Sequence, residues 1–276
     1  MSKYELLMFV LFGGWVLLST IERLWPYRAR PRRGRWVNLA MGVCNYAVTR
    51  VALPVGLGAF AMHWHTGLLH VVPLPMWAKV AAGVLSLDLV MYGLHNLFHR
   101  VHFFWRFHRV HHSDRELDAS TGFRFHPGQG LIMLGVMVLA VMAFGLPMLS
   151  VFVFALIHEL VLLTTHANLG PPRWLDALVR MLFVSPRMHW IHHSAVAPRE
   201  LDHNFGICFS WWDRLFGTYL ARSSAGDDFP FGIEDQPNDA ASFLQMLLLP
   251  VRWWEPAAVR QRDDRGERTG TAQRSP

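Results

Sequence analysis

The chain has 276 residues, of which 52% are hydrophobic and 17% charged, and its net charge is +6. The apolar residues lie in long blocks, which is typical of a membrane protein and argues against a soluble domain. The two cysteines, Cys44 and Cys208, lie far apart without CxxC spacing, so neither a disulfide framework nor a thiolate metal site is expected.

The first apolar segment, residues 4–21, is long enough to cross a bilayer as a helix. A cleaved signal peptide is the alternative, but Lys3 alone is a poor basic start and no small-x-small cleavage site precedes the charged stretch. Arginines crowd the loop that follows: Arg23, Arg28, Arg30, Arg32, Arg33 and Arg35. A short loop this basic should face the cytoplasm, which places the N-terminus outside. Because the arginines flank apolar spans, anionic lipid headgroups explain them better than a nucleic acid does.

Two further spans follow the basic loop. The second covers residues 37–62 and is kinked or interrupted near Pro54, and the third covers residues 77–97 with Asp88 in its later half. Residues 63–75, between them, should lie on the non-cytoplasmic side. Three histidines of this segment are therefore expected at the membrane interface: His63, His65 and His70.

After the third span the sequence predicts a surface segment and a hairpin. Residues 100–127 are polar, aromatic and basic, which suits the membrane surface. Residues 131–143 and 148–163 are each somewhat short for a full crossing, and Gly145-Leu146-Pro147 forms a turn between them. We therefore predict a hairpin that dips into the membrane and returns, with both ends cytoplasmic.

The rest of the chain predicts a polar cap and a tail. Residues 171–219 are mixed and Trp-rich, residues 243–254 suit an amphipathic interfacial helix, and residues 260–276 suit a disordered tail. The predicted fold is all-α: an integral membrane helical bundle of about three spans plus a hairpin, with a cytoplasmic histidine-rich cap. The predicted domains are residues 1–84 with the N-terminal membrane helices and basic loop, 85–220 with the catalytic residues, and 221–276 with the interfacial segment and tail.

Three histidine clusters carry the chemistry of the chain. The first cluster has two histidines four residues apart on a predicted helix, and each of the other two has histidines at i, i+3 and i+4, so each cluster projects from one helical face. Eight imidazoles exceed the four ligands of a closed zinc site and the three of a usual catalytic zinc, which favours a two-metal centre. The predicted ligands and catalytic residues are His95, His99, His108, His111, His112, His189, His192 and His193.

Other polar residues are expected around this centre. His166 is a predicted ninth ligand, and the alternative is a helix-end histidine bonded to backbone. His158 is expected in the second shell or lining, and His126 and His203 in turns or the outer shell. Ligating imidazoles usually donate their second N–H to a carboxylate or carbonyl. Four carboxylates are candidates for this role: Asp88, Asp118, Asp202 and Asp213. Helix capping or surface ion pairing is the alternative role for each of them.

Imidazole ligands suit zinc, copper, iron and nickel, so ligand type alone does not choose the metal. A two-metal ligand set in a membrane context, with no obvious carboxylate nucleophile or hydrolytic base, favours iron. Two iron ions roughly 3.5–4 Å apart, the usual two-metal spacing, could bind and activate O₂. The substrate would approach from the lipid side.

The chain resembles the fatty acid hydroxylase/sterol desaturase superfamily of membrane di-iron oxygenases over residues 88–218. Besides the three clusters, the motifs that carry the resemblance are W-R-F-H-R-V-H-H-S at 105–113, L-D-A-S-T at 117–121, R-F-H-P at 124–127, H-A-N at 166–168, S-P-R-M-H-W-I-H-H-S at 185–194, H-N-F-G at 203–206 and S-W-W-D-R-L-F-G-T at 210–218. The resemblance implies a cytoplasmic metal-bearing cap, two iron ions (Fe²⁺/Fe³⁺), O₂ as oxidant and electrons from an outside donor such as cytochrome b5 or a ferredoxin-type chain. It carries the ligand role to the eight box histidines and to His166.

These patterns lead to two hypotheses of different class. The first is an O₂-dependent di-iron oxygenase that hydroxylates or desaturates a C–H bond of a lipid, such as a sterol, a fatty acyl chain or a related apolar molecule. The alternative is a non-catalytic membrane protein that binds zinc or haem. The intact clusters with all their flanking motifs favour the oxygenase.

Overall fold

The computed structural model describes residues 3–28, 34–53, 56–196, 200–233 and 242–251. These residues form helices, turns and isolated β-bridges, and there is no strand among them. The prediction of an all-α fold is therefore confirmed. The helices are α1 (Lys3–Leu24), α2 (Arg35–Ala52), α3 (Gly56–His63), α4 (Leu68–Val71), α5 (Met76–Arg100), α6 (His102–His112), α7 (Pro127–Phe144), α8 (Met148–His166), α9 (Arg173–Val179), α10 (Pro186–His192), α11 (Trp211–Leu215) and α12 (Phe243–Leu248).

Within the described ranges, four helical segments are long and apolar enough to cross a membrane: Arg35–Val71, Met76–Arg100, Pro127–Phe144 and Met148–His166. They bear out the prediction of a multi-pass membrane helical bundle. The second predicted span is interrupted between α2 and α3, as expected, although Pro54 itself lies outside the described residues.

The hairpin of α7 and α8 is longer than the sequence predicts. Pro127 occupies the first turn of α7, and the His126 ring caps the helix by accepting a hydrogen bond from Gly128 N–H at 2.9 Å. At the other end α8 continues to His166. Both arms are thus of crossing length, and the expectation of short arms is wrong. The predicted arms included only the continuous apolar residues, whereas the helices extend further through polar residues at their ends.

The tip of the hairpin meets the segment between α3 and α4. Gly145 ends α7 in the left-handed region with φ 62°, which a glycine adopts without strain. At Gly67, a Cβ would lie 2.3 Å from Gly145 N, so the two backbones can approach this closely only through glycines. The hairpin therefore runs from the histidine clusters to the segment predicted at the opposite face of the membrane.

Helix α5 occupies the centre of the bundle and packs against α6, α7 and α8. Helix α2 runs along α7, and α3 contacts both arms of the hairpin. Leu87, Met91, Val141, Leu146 and Phe154 are buried between these helices. Their burial fixes the orientation of α5, whose C-terminal turns carry the first histidine cluster.

The segment after α1 lies at the same end of the bundle as the histidine clusters. Arg28 donates from Nη1 to the carbonyl of Phe229 at 2.8 Å, and Arg35 pairs with Glu22 at 2.7 Å and with Asp118 at 3.1 Å. Arg28 and Arg35 thus bind protein groups, which corrects the expectation of lipid headgroups for these two. Arg30, Arg32 and Arg33 lie outside the described residues.

Helix α12 covers part of the predicted interfacial segment. Its Met246, followed by Leu249, is buried against Met41 of α2 and Val110 of α6, while Leu244 is exposed. Residues 252–254 of that segment and the predicted tail, 260–276, lie outside the described residues.

Candidate metal centre

Four helices end at one place in the bundle, and their last turns carry the nine predicted ligands. Helix α5 supplies its pair in its C-terminal turns, α6 supplies three, α8 ends at His166, and α10 supplies the final cluster with His193 just beyond its end. Because side chains at i and i+4 lie on the same helical face, each pair can point inward together. All these side chains are largely buried.

The nine imidazoles form two groups, and in each group the possible ligand atoms all lie within 4.8 Å of one another. The five-histidine group is His95, His99, His108, His112 and His192. The four-histidine group is His111, His166, His189 and His193. Each H-x-x-H-H box therefore divides its histidines between the groups. The groups are adjacent, since the rings of His112 and His193 stack at a centroid distance of 4.3 Å.

The spacing of the ring nitrogens in the four-histidine group fits a shared cation. The Nε2 atom of His166 lies 3.2 Å from that of His111 and 2.9 Å from that of His189, which is 3.1 Å from Nε2 of His193. Neutral imidazoles cannot make all three contacts as separate hydrogen bonds, because each Nε2 carries one proton or one lone pair while those of His166 and His189 take part in two contacts each. Two nitrogens bound to one metal at about 2.1 Å lie about 3.0–3.4 Å apart, which matches these distances.

The ring nitrogens of the five-histidine group also fit a shared cation. Nε2 of His108 and Nε2 of His112 lie 3.2 Å apart. Neither ring nitrogen of His99 has a hydrogen-bond partner although both are buried, and Nε2 of His192 is buried and unpartnered as well. Buried nitrogens without partners are costly unless a cation binds them. The donor set of both groups therefore fits bound transition metals.

Carbonyl oxygens orient four of the rings. Nδ1 of His95 donates to the carbonyl of Phe205 at 2.9 Å, and Nδ1 of His192 to the carbonyl of His203 at 2.8 Å. The corresponding partner of His166 is the carbonyl of Leu162 at 2.7 Å, and that of His108 is Oε1 of Gln129 at 3.2 Å. A proton held on Nδ1 leaves the Nε2 lone pair free to bind a metal.

Burial keeps these imidazoles neutral. Burial lowers the pKa well below the usual value for each box histidine outside the membrane segments, and neighbouring imidazoles lower each pKa further. These histidines are His108, His111, His112, His189, His192 and His193. Neutral imidazole is the form that binds metals, so the apolar surroundings prepare the ligands at neutral pH.

Two of the predicted carboxylate partners bond the backbone near the imidazoles and not the imidazoles themselves. Asp213 accepts from Phe205 N–H at 2.7 Å and Gly206 N–H at 2.8 Å, and Asp88 accepts from Cys208 N–H at 2.9 Å and from the Trp212 indole at 2.8 Å. Both hold the segment that presents the Phe205 carbonyl to His95. Of the remaining candidates, Asp118 bonds Arg35 and Ser120, and Asp202 is exposed. The imidazole partners described above are carbonyls, so the expectation of carboxylates is corrected.

The other predicted histidines lie around the site or far from it. His158 lines a cavity beside the imidazoles, as expected. His126 caps α7 and donates from Nε2 to the carbonyl of Leu247 at 3.1 Å, whereas His203 contributes its backbone carbonyl. His70 lies against Gly145 at the opposite end of the bundle.

Sequence reasoning did not identify Gln129 and Glu22. Glu22 is fully buried at the end of α1, and its Oε2 accepts from the N–H groups of Ala119 and Asn168, both at 3.1 Å. Asn168 is two residues past His166, so Glu22 holds the chain that leaves this predicted ligand. Both residues are polar and lie within or beside an apolar span, and this position could have indicated them, because polar residues there are retained mostly for function.

Comparison with known proteins shows which family the chain resembles. The model of the fatty acid hydroxylase family matches residues 80–218, about half of the chain. An ornithine lipid hydroxylase of Rhizobium tropici is 28% identical over 254 residues, which cover 85% of this chain and 72% of that protein. An alkylglycerol monooxygenase of Caenorhabditis elegans is 29% identical over 175 residues, covering 61% of this chain and 31% of that protein. A methylsterol monooxygenase of Arabidopsis thaliana is 23% identical over 172 residues, covering 61% of this chain and 64% of that protein. No solved structure matches.

Proposed function

The chain belongs to the fatty acid hydroxylase family, and from this premise we propose that it is a membrane-bound oxidoreductase that uses O₂ to hydroxylate or desaturate a C–H bond of a lipid. The single observation that carries the proposal is the pair of buried histidine groups beside an apolar cavity inside a membrane bundle. The relatives named as lipid hydroxylases and monooxygenases support the reaction class.

Each histidine group would hold one iron ion. Two bound iron ions would supply the redox chemistry that reduces O₂ and oxidises the lipid. The four-histidine group would supply four imidazole ligands to its ion, and the five-histidine group would supply five to the other. Iron rather than zinc is proposed because the chemistry of an oxygenase requires a metal that changes its oxidation state.

The protein residues would orient the ligands and exclude water. The Phe205 carbonyl and Gln129 fix the tautomers of His95 and His108. The ring of Phe125 stacks on His111 at 4.5 Å, and that of Phe98 stacks on His108 at 5.3 Å. These rings cover the cavity side of the two imidazoles with apolar surface, which keeps bulk water from the place where a C–H bond would react.

We place the metal centre at the cytoplasmic face. The segment of Arg28 and Arg35 contacts the same end of the bundle as the histidines, and short arginine-rich loops are retained on the cytoplasmic side. Electrons would then come from a cytoplasmic donor, cytochrome b5 or a ferredoxin-type protein. The substrate is proposed to be a membrane lipid with a long hydrocarbon part, such as a sterol, a fatty acyl lipid or an amino-acid lipid.

The test uses the full chain purified in detergent with an electron donor, O₂ and extracted membrane lipids. We expect bound iron, O₂ consumption that depends on the lipid, and a product that gains one oxygen or loses two hydrogens. His111→Ala and His192→Ala each remove one ligand from a different group and should abolish product, while His65→Ala, an exposed histidine at the other end, should not. Zinc in place of iron, without O₂ consumption, would instead establish a non-catalytic metal protein.

A further inference from the structure

Two cavities adjoin inside the membrane bundle. The inner cavity, about 50 Å³, lies beside the metal centre and is lined by His95, His108, His111, His166 and His189. The outer cavity, about 280 Å³, is lined by Leu57 and Gly58 of α3, Met137 of α7, and Met148, Phe152 and Ala155 of α8. Three residues line both cavities and form what we call the neck: Met91, Met133 and His158.

The outer cavity lies where the hydrocarbon region of the bilayer is expected. Its walls come from α3, α5, α7 and α8, all of which belong to segments of membrane-crossing length. Leu57, Phe152 and Ala155 are only half-buried, so this wall reaches the lipid-facing surface of the bundle. Apart from His158 its lining side chains are apolar, which suits a hydrocarbon chain and leaves a charged headgroup without partners.

The neck lies one helical turn from the metal centre. Met91 precedes His95 by four residues on α5, so the two side chains lie on the same face about 6 Å apart along the helix. The inner cavity alone is too small for a lipid chain, because ligand sites usually measure about 300–1,000 Å³. Methionine side chains adapt readily to their neighbours, so the two thioethers of the neck can make room for a chain.

We propose that the outer cavity binds the hydrocarbon chain of a membrane lipid that enters sideways from the bilayer between α3 and α8. The neck then determines how far the chain advances towards the histidine groups. This inference rests on the proposed function for its choice of occupant. A larger apolar groove of about 670 Å³, between α1, α8 and α9, shares no lining residue with the inner cavity, whereas the outer cavity shares three.

The test maps where a hydrocarbon chain binds, in the resting protein and without turnover. The full chain in lipid nanodiscs is exposed to a long-chain fatty alcohol carrying a diazirine at its terminal carbon, irradiated and digested. We expect adducts on peptides containing Met91, Met133 or His158, and an excess of unlabelled alcohol should remove them. Adducts only on the groove residues Val161 or Leu175, or none that the competitor removes, would overturn the proposal.

A filling substitution gives the second arm. Ala155→Phe should occupy the outer cavity and lower labelling of the neck at least tenfold, whereas Ala81→Phe, exposed on the outside of α5, should leave it unchanged. If Ala155→Phe does not fold, Leu57→Phe fills the cavity from the opposite wall. Labelling of the neck that persists in a folded filled variant contradicts the inference. Because labelling needs neither iron nor O₂, positive labelling without product formation would refute the proposed function alone.

Discussion

We expect Glu22→Gln to destabilise the protein and to weaken metal binding, although Glu22 lies on α1, far in sequence from the histidine boxes. Its carboxylate is fully buried and accepts from Arg35 at 2.7 Å and from the N–H groups of Ala119 and Asn168 at 3.1 Å. A glutamine has one acceptor oxygen, and its NH₂ group would face at least one of these donors. The substitution also removes the charge that partners Arg35.

The magnitude follows from these losses. A buried donor left without a partner costs about 1–3 kcal/mol, and removing one partner of a buried ion pair costs about 3–5 kcal/mol. Arg35 keeps Asp118 at 3.1 Å and is partly exposed, so the lower end of both ranges applies. We therefore expect a loss of about 2–4 kcal/mol, which at ~2–4 °C per kcal/mol lowers the melting temperature by about 5–15 °C.

The assay is thermal unfolding in detergent, followed by tryptophan fluorescence, with iron content measured on the same samples. Because Glu22 holds Asn168, two residues past His166, iron bound by the four-histidine group should be lost first. Arg23→Gln, an exposed charge change on the neighbouring residue, is the matched control and should leave both values unchanged. A melting temperature within 2 °C of wild type for Glu22→Gln would show that the buried carboxylate does not stabilise the fold.

Four further predictions follow from the same contacts. Asp213→Asn should lower iron affinity about 10–100-fold by loosening the Phe205 carbonyl. It should also destabilise the protein by about 1–3 kcal/mol, because the amide NH₂ would face at least one of the N–H groups that the carboxylate now accepts. Unchanged affinity by iron titration would contradict this. The metal-free protein should lose stability as the pH falls below about 6.5. The box histidines of the unfolded chain then bind protons, whereas burial keeps the pKa values of these histidines lower in the folded protein. A melting temperature that stays constant from pH 8 to 5.5 would contradict this. Met133→Ala should widen the neck, so mass spectrometry should find oxygen inserted farther from the leading end of the chain, and an unchanged position would count against the neck. Gly67→Ala should lower the free energy of unfolding by more than about 2 kcal/mol, because Gly67 has φ 121° and its Cβ would lie against Gly145 N. Gly135→Ala, with open space around its Cβ, should leave the free energy of unfolding unchanged. Equal melting temperatures of the two variants would contradict the close approach of Gly67 to Gly145.

The histidine spacing predicted that the three clusters meet, because i, i+4 pairs share a helical face and metal ligands must converge. It did not predict the division of each box between two groups. That division depends on how α6 and α10 face each other across the centre, and those contacts join residues about 80 positions apart in the chain. Local periodicity carries no information about such contacts.

The partners of the imidazoles show a second limit of sequence reasoning. Carboxylates are visible in a sequence, and four were considered. The groups that orient His95, His166 and His192 are backbone carbonyls, which every residue has and which no residue type marks. The role of Glu22 was hidden in the same way, because besides Arg35 it accepts from two backbone N–H groups that only tertiary folding brings near.

X-ray diffraction from crystals of the full chain, recorded on both sides of the iron absorption edge, tests directly whether each histidine group binds an iron ion. We expect two anomalous iron peaks in each chain, one within the five-histidine group and one within the four-histidine group. A single peak, a zinc signal in place of iron, or iron bound away from these histidines would contradict it.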